Sequence, residues 1–220
     1  MKRKERKKLK TNELSDFINR MYDLAKRRAK EVAYAIGALV IIFLVFLVSR
    51  YIKAQDLQKQ SQLLAQINEI NQDLDENPGR IDELRELAGK GKFARMAYIY
   101  MARYDIEKGE LDKALNTLEK IPESKKDIVY YQSRLIKADI YHRKKELDRA
   151  LDIYQKIEKE KPAYFALDVV LFKKAEIIAE KGDKAKALEL YKSISEDYPQ
   201  TYYGYEASQK REQLGRAEEP

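Results

Sequence analysis

The sequence predicts an all-α protein in which a single N-terminal transmembrane helix is followed by a solenoid of helix-turn-helix repeats. Three observations support this fold class. An uncharged apolar run extends from Val32 to Val48 in a chain of which 37% is charged. No stretch alternates apolar and polar residues with the period of two that strands require. A short motif recurs three times after the apolar run, at a spacing typical of helical repeats.

The apolar run has the length of a membrane span. Eighteen uncharged residues lie between Glu31 and Arg50, and as a helix they would extend roughly 27 Å, close to the thickness of a bilayer's hydrocarbon core. A cleaved signal peptide is the alternative interpretation. The run is longer than the roughly 7 to 15 apolar residues of a signal peptide, and residues 49–53 offer no small-residue cleavage site. We therefore expect an uncleaved transmembrane helix at residues 32–49.

Residues 1–31 form a basic tail that predicts the orientation of the span. They contain twelve Lys or Arg and five Asp or Glu, so their net charge of +7 equals that of the whole chain. Because basic residues beside a span stay on the cytoplasmic side, we expect this tail in the cytoplasm and the residues after 49 outside it. Nucleic acid binding is the competing interpretation, but a topology signal that also attracts anionic lipid explains the charge more simply.

Apolar residues within the tail recur at helical spacing. They are Leu14, Phe17, Ile18, Met21, Leu24 and Ala25. This pattern predicts a short amphipathic helix, which would lie on the inner leaflet or lead directly into the span. A docking helix for a cytoplasmic partner has the same pattern.

A polar, Gln-rich stretch follows the span, and we expect a helical stalk at residues 50–77. Leu57, Leu64, Ile67 and Leu74 fall at a and d positions of a heptad pattern that spans fewer than three heptads, and the polar Gln60 and Asn71 occupy the intervening ones. The stalk would therefore either pack on its own domain or form a homodimer through residues 53–77. The sequence Asn77-Pro78-Gly79 ends the helix, and residues 78–220 form the predicted repeat domain.

A motif in the repeat domain recurs three times. The copies read GELDKALNTLEKI, KELDRALDIYQKI and KGDKAKALELYKSI, and their Ala-Leu pairs begin at Ala114, Ala150 and Ala187, 36 and 37 residues apart. Self-similarity at this period indicates a helical solenoid, in which stacked units share a core. We expect about three repeats, preceded by a degenerate unit whose second helix is 81–88 and followed by a capping helix at 202–214.

The residues inside each copy resemble the tetratricopeptide repeat. That family places a small residue and an aromatic on the first helix, then Ala, an aromatic, an apolar residue and a closing Pro along the second. The second copy meets this pattern with Ala138, Tyr141, Ala150, Tyr154, Ile157 and Pro162. The third copy has Ala175, Ile178, Gly182, Ala187, Tyr191, Ile194 and Pro199. The first copy is looser, with Ala102, Gly109, Ala114, Leu118 and Ile121, and Asp105 stands where an aromatic is usual.

The order of basic tail, span and repeat domain is similar to that of a bacterial inner-membrane family that includes the ancillary subunit of the Sec translocon. This resemblance implies a single-pass protein of the bacterial inner (cytoplasmic) membrane with a periplasmic repeat domain. Its partners would be Sec translocon subunits, periplasmic chaperones or exported clients. The alternative is a structural scaffold for another cell-envelope assembly, in division, cytochrome maturation or outer-membrane biogenesis.

Candidate partner-binding residues follow from the resemblance, because first helices line the concave groove of tetratricopeptide arrays. Aligning the copies by their Ala residues places these side chains toward the groove: Met96, Ile99, Arg103, Gln132, Leu135, Asp139, His142, Arg143, Val169, Phe172 and Glu176. We expect His142 to be a polar groove residue rather than a metal ligand, because the chain has no second His and no Cys. A tyrosine cluster would either pack the cap or form a further partner-binding patch: Tyr198, Tyr202, Tyr203 and Tyr205.

The composition argues against an enzyme. With no Cys and one His, the chain lacks a thiol nucleophile and offers no obvious His-centred triad. It contains no Gly-rich phosphate loop, nucleophile elbow or zinc motif. We therefore expect a binding protein with no catalytic residues, no cofactor and no metal.

Overall fold

The computed structural model describes residues 15–23, 26–91 and 93–216, and all regular structure in these ranges is helical. This confirms the predicted all-α fold class. A helical segment at 15–23 comes first. It is followed by α1 (Ala29–Asp73), α2 (Ile81–Leu87), α3 (Met96–Glu107), α4 (Leu111–Glu119), α5 (Ile128–Arg143), α6 (Leu147–Glu160), α7 (Leu167–Glu180), α8 (Lys184–Asp197) and α9 (Tyr202–Arg216). The basic block 2–10 and three residues of the predicted amphipathic helix, Leu14, Leu24 and Ala25, lie outside the described ranges.

The chain divides into two compact units, one ending at Lys59 and the other beginning at Gln60. In the first unit, the apolar part of α1 is long and apolar enough to cross a membrane. Its side chains are exposed, for example Leu39 at 66% and Phe43 at 59%. The core helix of a soluble protein would bury such residues, so this stretch is not a core helix. Two interpretations of this exposed stretch remain, a lipid-facing segment and a signal sequence.

The second unit begins with a hairpin made by residues 60–73 of α1 and by α2. Ile67 and Ile70 of α1 are fully buried against Leu84 of α2 and Ala97 of α3. This hairpin corresponds to the degenerate leading unit expected from the sequence, and α2 is its second helix.

Three further hairpins, α3–α4, α5–α6 and α7–α8, coincide with the three predicted repeats. The recurring small residues are all fully buried: Ala102, Ala114, Ala138, Ala150, Ala175 and Ala187. Tyr154 and Tyr191 on the second helices are buried in the same clusters. Small residues let paired helices approach closely, and the large rings fill the remaining space at the density of a protein interior.

Each apolar core layer takes residues from three helices. The layer of the first repeat contains Ile99 of α3 and Leu118 of α4, together with Ile140 of α5. The layer of the second repeat is completed by Val170 of α7, and that of the third by Ala207 of α9. Every hairpin therefore needs the first helix of its successor to bury its apolar face. The predicted capping helix corresponds to α9, which completes the last layer.

The turn inside each repeat has one residue in the left-handed region. These residues are Gly109 (φ 79°), Lys145 (φ 63°) and Gly182 (φ 95°), so they repeat with the same spacing as the Ala-Leu pairs. In each turn the next backbone N–H donates to a carbonyl five residues earlier, over 2.8 to 3.1 Å, as in a helix C-terminal motif. Glycine adopts positive φ without the steric strain that a side chain introduces.

We expect Gly182→Ala to destabilise the fold by about 1 to 2 kcal/mol, because a Cβ atom is disfavoured at positive φ even where space is free. The added methyl would meet no atom within 4 Å, so the loss would come from backbone strain alone. Gly215→Ala is the matched control, since Gly215 lies in α9, also with no atom within 4 Å of the added methyl. Thermal unfolding followed by circular dichroism should show a loss for the first variant and none for the second. Equal effects would contradict the turn assignment.

Candidate partner-binding groove

The first helices of the three repeats carry a stripe of accessible side chains. On each first helix the stripe consists of residues that lie on one face, at intervals of three, four or seven positions. Each side chain of the stripe is at least partly accessible. We call this surface the first-helix groove, and it consists of Met96, Tyr100, Arg103 and Glu107 on α3, Gln132, Asp139 and Arg143 on α5, and Val169, Lys173, Glu176 and Glu180 on α7.

A charged cavity of about 330 Å³ lies between α3 and α5. Arg103, Asp139 and Arg143 line it, which brings together three of the residues predicted from the sequence. Ile136 and Ile140 form an apolar part of its wall. Both arginines are exposed, and neither donates a hydrogen bond or forms an ion pair with any residue in the described ranges. The carboxylates of Asp139 and Glu107 line the same cavity, so it offers a ligand two guanidinium groups beside two acidic groups.

Asp139 is held in the groove by a core residue. The hydroxyl of Tyr154 donates a hydrogen bond of 2.6 Å to its carboxylate. Burial raises the pKa of Asp139 above its ordinary value, although the Tyr154 hydrogen bond and the nearby charge of Lys173 oppose this rise. The ionised carboxylate is thus less stable in the folded protein than in the unfolded chain.

At the other end of the groove, charged residues pair with one another. Lys173 and Glu176 form an ion pair of 2.9 Å on α7. Glu180 accepts a hydrogen bond from Lys145 at 2.7 Å and lies 2.6 Å from His142. These two contacts, Lys145 first, hold the pKa of Glu180 below its ordinary range. His142 therefore links the second repeat to the third, and no metal-binding group of three or more His, Cys, Asp or Glu side chains occurs in the described ranges.

A second cavity, of about 350 Å³, lies at the leading end of the groove. Met96 and Tyr100 of α3 line it together with Leu64 of α1 and Ile128 of α5. The Tyr100 hydroxyl donates a hydrogen bond of 2.7 Å to Asn68, which leaves the ring available to the cavity. Ile128 is 60% exposed. This cavity is predominantly apolar and suits a hydrophobic side chain.

The structure places some predicted groove residues in the core. Ile99 and Phe172 are 0% and 4% exposed, and Leu135, at the same position of the second repeat, packs against a core layer. Phe172 contacts the ring of Tyr203 on α9, with 5.3 Å between ring centroids. Because successive first helices pack against each other, this position is enclosed between them. These residues support the groove but offer it little accessible surface.

Sequence reasoning missed Tyr100 and Lys173, which occupy equivalent positions on α3 and α7. Each lies one residue after a position that was selected, Ile99 or Phe172. The signal was present in the helical period, because Tyr100 is four residues after Met96 and three before Arg103. Whether a given position or its neighbour faces the groove depends on where the next repeat packs. An alignment of single repeats carries no information on that packing.

The C-terminal tyrosines differ in burial. Tyr203 packs on Phe172, and Tyr198 contacts the same core cluster. Tyr202 and Tyr205 are 69% and 60% exposed. The first pair therefore packs the cap, and the second pair is accessible at the surface.

A comparison with protein families now identifies the domain. A family model described as a tetratricopeptide repeat-like domain matches residues 26–201. The chain belongs to the tetratricopeptide repeat-like family. Domains of this family are typically non-catalytic modules for protein-protein interaction, which agrees with a groove built from the first helices of the repeats. The match begins before Val32, so the family model covers the apolar run as well as the repeat-like domain. A comparison with curated proteins gives no match.

We expect Asp139→Asn to stabilise the repeat-like domain at pH 7. A carboxyl group whose folded pKa is raised contributes stability that is present below its unfolded pKa of 3.8, and this contribution is lost as the pH rises through the folded pKa. Asn cannot ionise, so the variant should exceed the parent protein in denaturant midpoint at pH 7 and match it near pH 3.

Asp152→Asn is the control, because Asp152 is exposed and pairs only with Lys156 on the surface. It should change the free energy of unfolding by no more than about 0.5 kcal/mol. If Asp139→Asn were no more stable than the parent at pH 7, the burial of this carboxylate would have no energetic consequence.

Proposed function

We propose that the protein is a membrane-tethered adaptor of the bacterial inner membrane, whose periplasmic repeat-like domain binds protein partners along the first-helix groove. In this role it assists the Sec translocon and periplasmic chaperones with exported proteins. The observation that carries the proposal is the charged cavity of the groove, where the exposed Arg103 and Arg143 lie beside Asp139 and Glu107 and form no hydrogen bond or ion pair among the described residues.

The exposed apolar part of α1 supports the membrane tether. Its side chains between residues 32 and 48 are exposed. A continuous apolar helix of this length is stable in a bilayer, because lipid solvates its side chains and the helix satisfies its backbone hydrogen bonds internally. The family model covers this stretch, which favours a retained anchor over a cleaved signal. The basic tail before it favours a cytoplasmic N-terminus and a periplasmic repeat-like domain.

The chemistry of the groove specifies the partner segment. Arg103 and Arg143 favour acidic side chains, because an arginine fork binds a carboxylate with two parallel hydrogen bonds. Asp139 and Glu107 line the same cavity and favour basic side chains. The apolar cavity beside Met96 and Tyr100 suits a hydrophobic side chain of the same segment. An extended or helical segment with an apolar anchor and charged residues of both signs matches both cavities.

The role in export rests on the resemblance in architecture to the family of the Sec ancillary subunit. An adaptor for exported chains should bind several unfolded clients weakly, whereas a scaffold for another envelope assembly should hold one folded partner in fixed stoichiometry. The open, mixed surface of the groove favours the adaptor, because no single large apolar patch marks an obligate interface there.

The proposal does not extend to a homodimer through residues 53–77. Two of the four heptad positions, Ile67 and Leu74, are buried within the repeat-like domain itself. Leu57 is 58% exposed, and a single exposed leucine is a weak basis for a coiled coil.

The sidedness can be tested with single cysteines, because the chain contains none. Ser208→Cys in α9 should react with a membrane-impermeant maleimide added to intact cells with a permeabilised outer membrane. Ser15→Cys should react only after the inner membrane is disrupted, since it precedes the span. Labelling of Ser15→Cys, with Ser208→Cys protected, would reverse the orientation and remove the export role.

The groove can be tested by charge reversal. Arg103→Glu combined with Arg143→Glu should weaken partner capture from native membranes at least tenfold, or about 1.4 kcal/mol, because acidic partner groups would then meet like charges. The control reverses two exposed bases of α8, Lys186→Glu and Lys192→Glu, whose side chains form no ion pair among the described residues. Crosslinked partners are quantified by mass spectrometry, and equal capture by both variants would exclude the groove.

The identity of the captured proteins separates the two functions. Recovery of channel subunits with diverse precursors supports the adaptor, whereas recovery of one unrelated complex supports the scaffold.

A further inference from the structure

The helical segment 15–23 has an apolar face with no cover in the described part of the chain. Phe17, Ile18, Met21 and Tyr22 are 60%, 55%, 53% and 66% exposed. At 100° per residue these four side chains fall within an arc of about 140° on the helix. The remaining residues of the segment, Ser15, Asp16, Asn19, Arg20 and Asp23, occupy the opposite arc. The segment is therefore amphipathic, and its apolar face needs a surface to bury it.

The position of the segment in the chain indicates which surface this is. Only eight residues separate Asp23 from the first residue of the apolar run, Val32. Even a fully extended chain of this length reaches only about 30 Å, so a helix that leads into a membrane-inserted α1 cannot leave the vicinity of the bilayer. A lipid surface is always within its reach, whereas a soluble partner has to be recruited.

Charge next to the segment favours an anionic surface. Lys26, Arg27, Arg28 and Lys30 follow it directly, with Glu31 as the one acid among them. Glu31 forms an exposed ion pair with Arg28. Seven further bases precede residue 11. An apolar arc flanked by bases is the pattern of helices that lie in the interface of anionic membranes.

We propose that the segment 15–23 lies in the interface of an anionic leaflet on the side of the basic tail, as a second membrane contact beside the span. Ile18 and Met21, at the centre of the arc, point toward the acyl chains, and Phe17 and Tyr22 lie at its two edges, where the Tyr22 hydroxyl reaches water. Asn19 and Asp23 remain in water. This inference rests on the proposed membrane anchor, and the experiment below separates the two.

The chain contains no Trp, so a single Trp reports on its own environment without background. The full-length protein is reconstituted in nanodiscs that contain brominated phosphatidylcholine alone or with added phosphatidylglycerol. Phe17→Trp probes the apolar face, and Asn19→Trp probes the opposite face of the same segment. Phe43→Trp reports on the span itself.

The proposal predicts that Phe17→Trp is quenched and blue-shifted in anionic nanodiscs, with weaker quenching in phosphatidylcholine alone. Asn19→Trp should stay largely unquenched in both. Replacing Lys26, Arg27, Arg28 and Lys30 by Gln in the Phe17→Trp background should lower the ratio of bound to free segment about fivefold per removed charge.

Phe17→Trp that is unquenched in both lipids, while Phe43→Trp is quenched, would overturn the surface helix and leave the anchor intact. In that case the apolar face would serve a cytoplasmic protein instead. If Phe43→Trp were also unquenched, the anchor would be wrong, and the surface helix would be overturned with it. Equal quenching of Phe17→Trp and Asn19→Trp would show insertion without the proposed orientation and would also overturn it.

Discussion

The packing of each repeat depends on the first helix of the next one. A hairpin such as α5–α6 buries Tyr154 and Ala150 only in a layer that also contains Val170 of α7. Burial of apolar area is the main favourable term in folding, and here no hairpin completes it alone. The layer of the third repeat likewise needs a further helix, and α9 supplies it through Ala207 and Tyr203.

This constraint also decides which residues remain available to a partner. The face of a first helix that turns to the next repeat is enclosed, as Ile99 and Phe172 show. The first-helix groove lies beside this enclosed face. It remains accessible and carries charged side chains that take no part in the apolar core. Asp139 lies there although burial disfavours its ionised form, and it accepts the hydrogen bond of the Tyr154 hydroxyl.

Much of the fold was predictable because local patterns and tertiary packing agree. The apolar run, the Ala and Tyr positions of the second and third repeats and the capping helix all follow from spacing and side-chain size. Asp105 departs from the pattern, and in the structure it is buried and paired with Lys113 at 2.9 Å. An ion pair occupies the position where the repeat pattern has an aromatic residue. The spacing of residues along the sequence does not predict this.

The candidate site was less predictable, for two physical reasons. A shift of one residue on a helix turns the side chain by about 100°, so choosing 99 instead of 100 exchanges a core position for a groove position. The leading apolar cavity also contains Leu64 of α1, which the sequence places in a stalk. The hairpin that brings Leu64 there becomes evident only when α1 is seen to pack against α2 and α3.

The central claim is that partners contact the first-helix groove of a membrane-tethered solenoid. A photo-crosslinking amino acid placed at Arg103, at Gln132 or at the exposed Lys156 of α6, and activated in native membranes, tests this most directly. The account predicts that positions 103 and 132 crosslink to the same partners and that position 156 does not. Partners captured from position 156, with none from the groove, would contradict it.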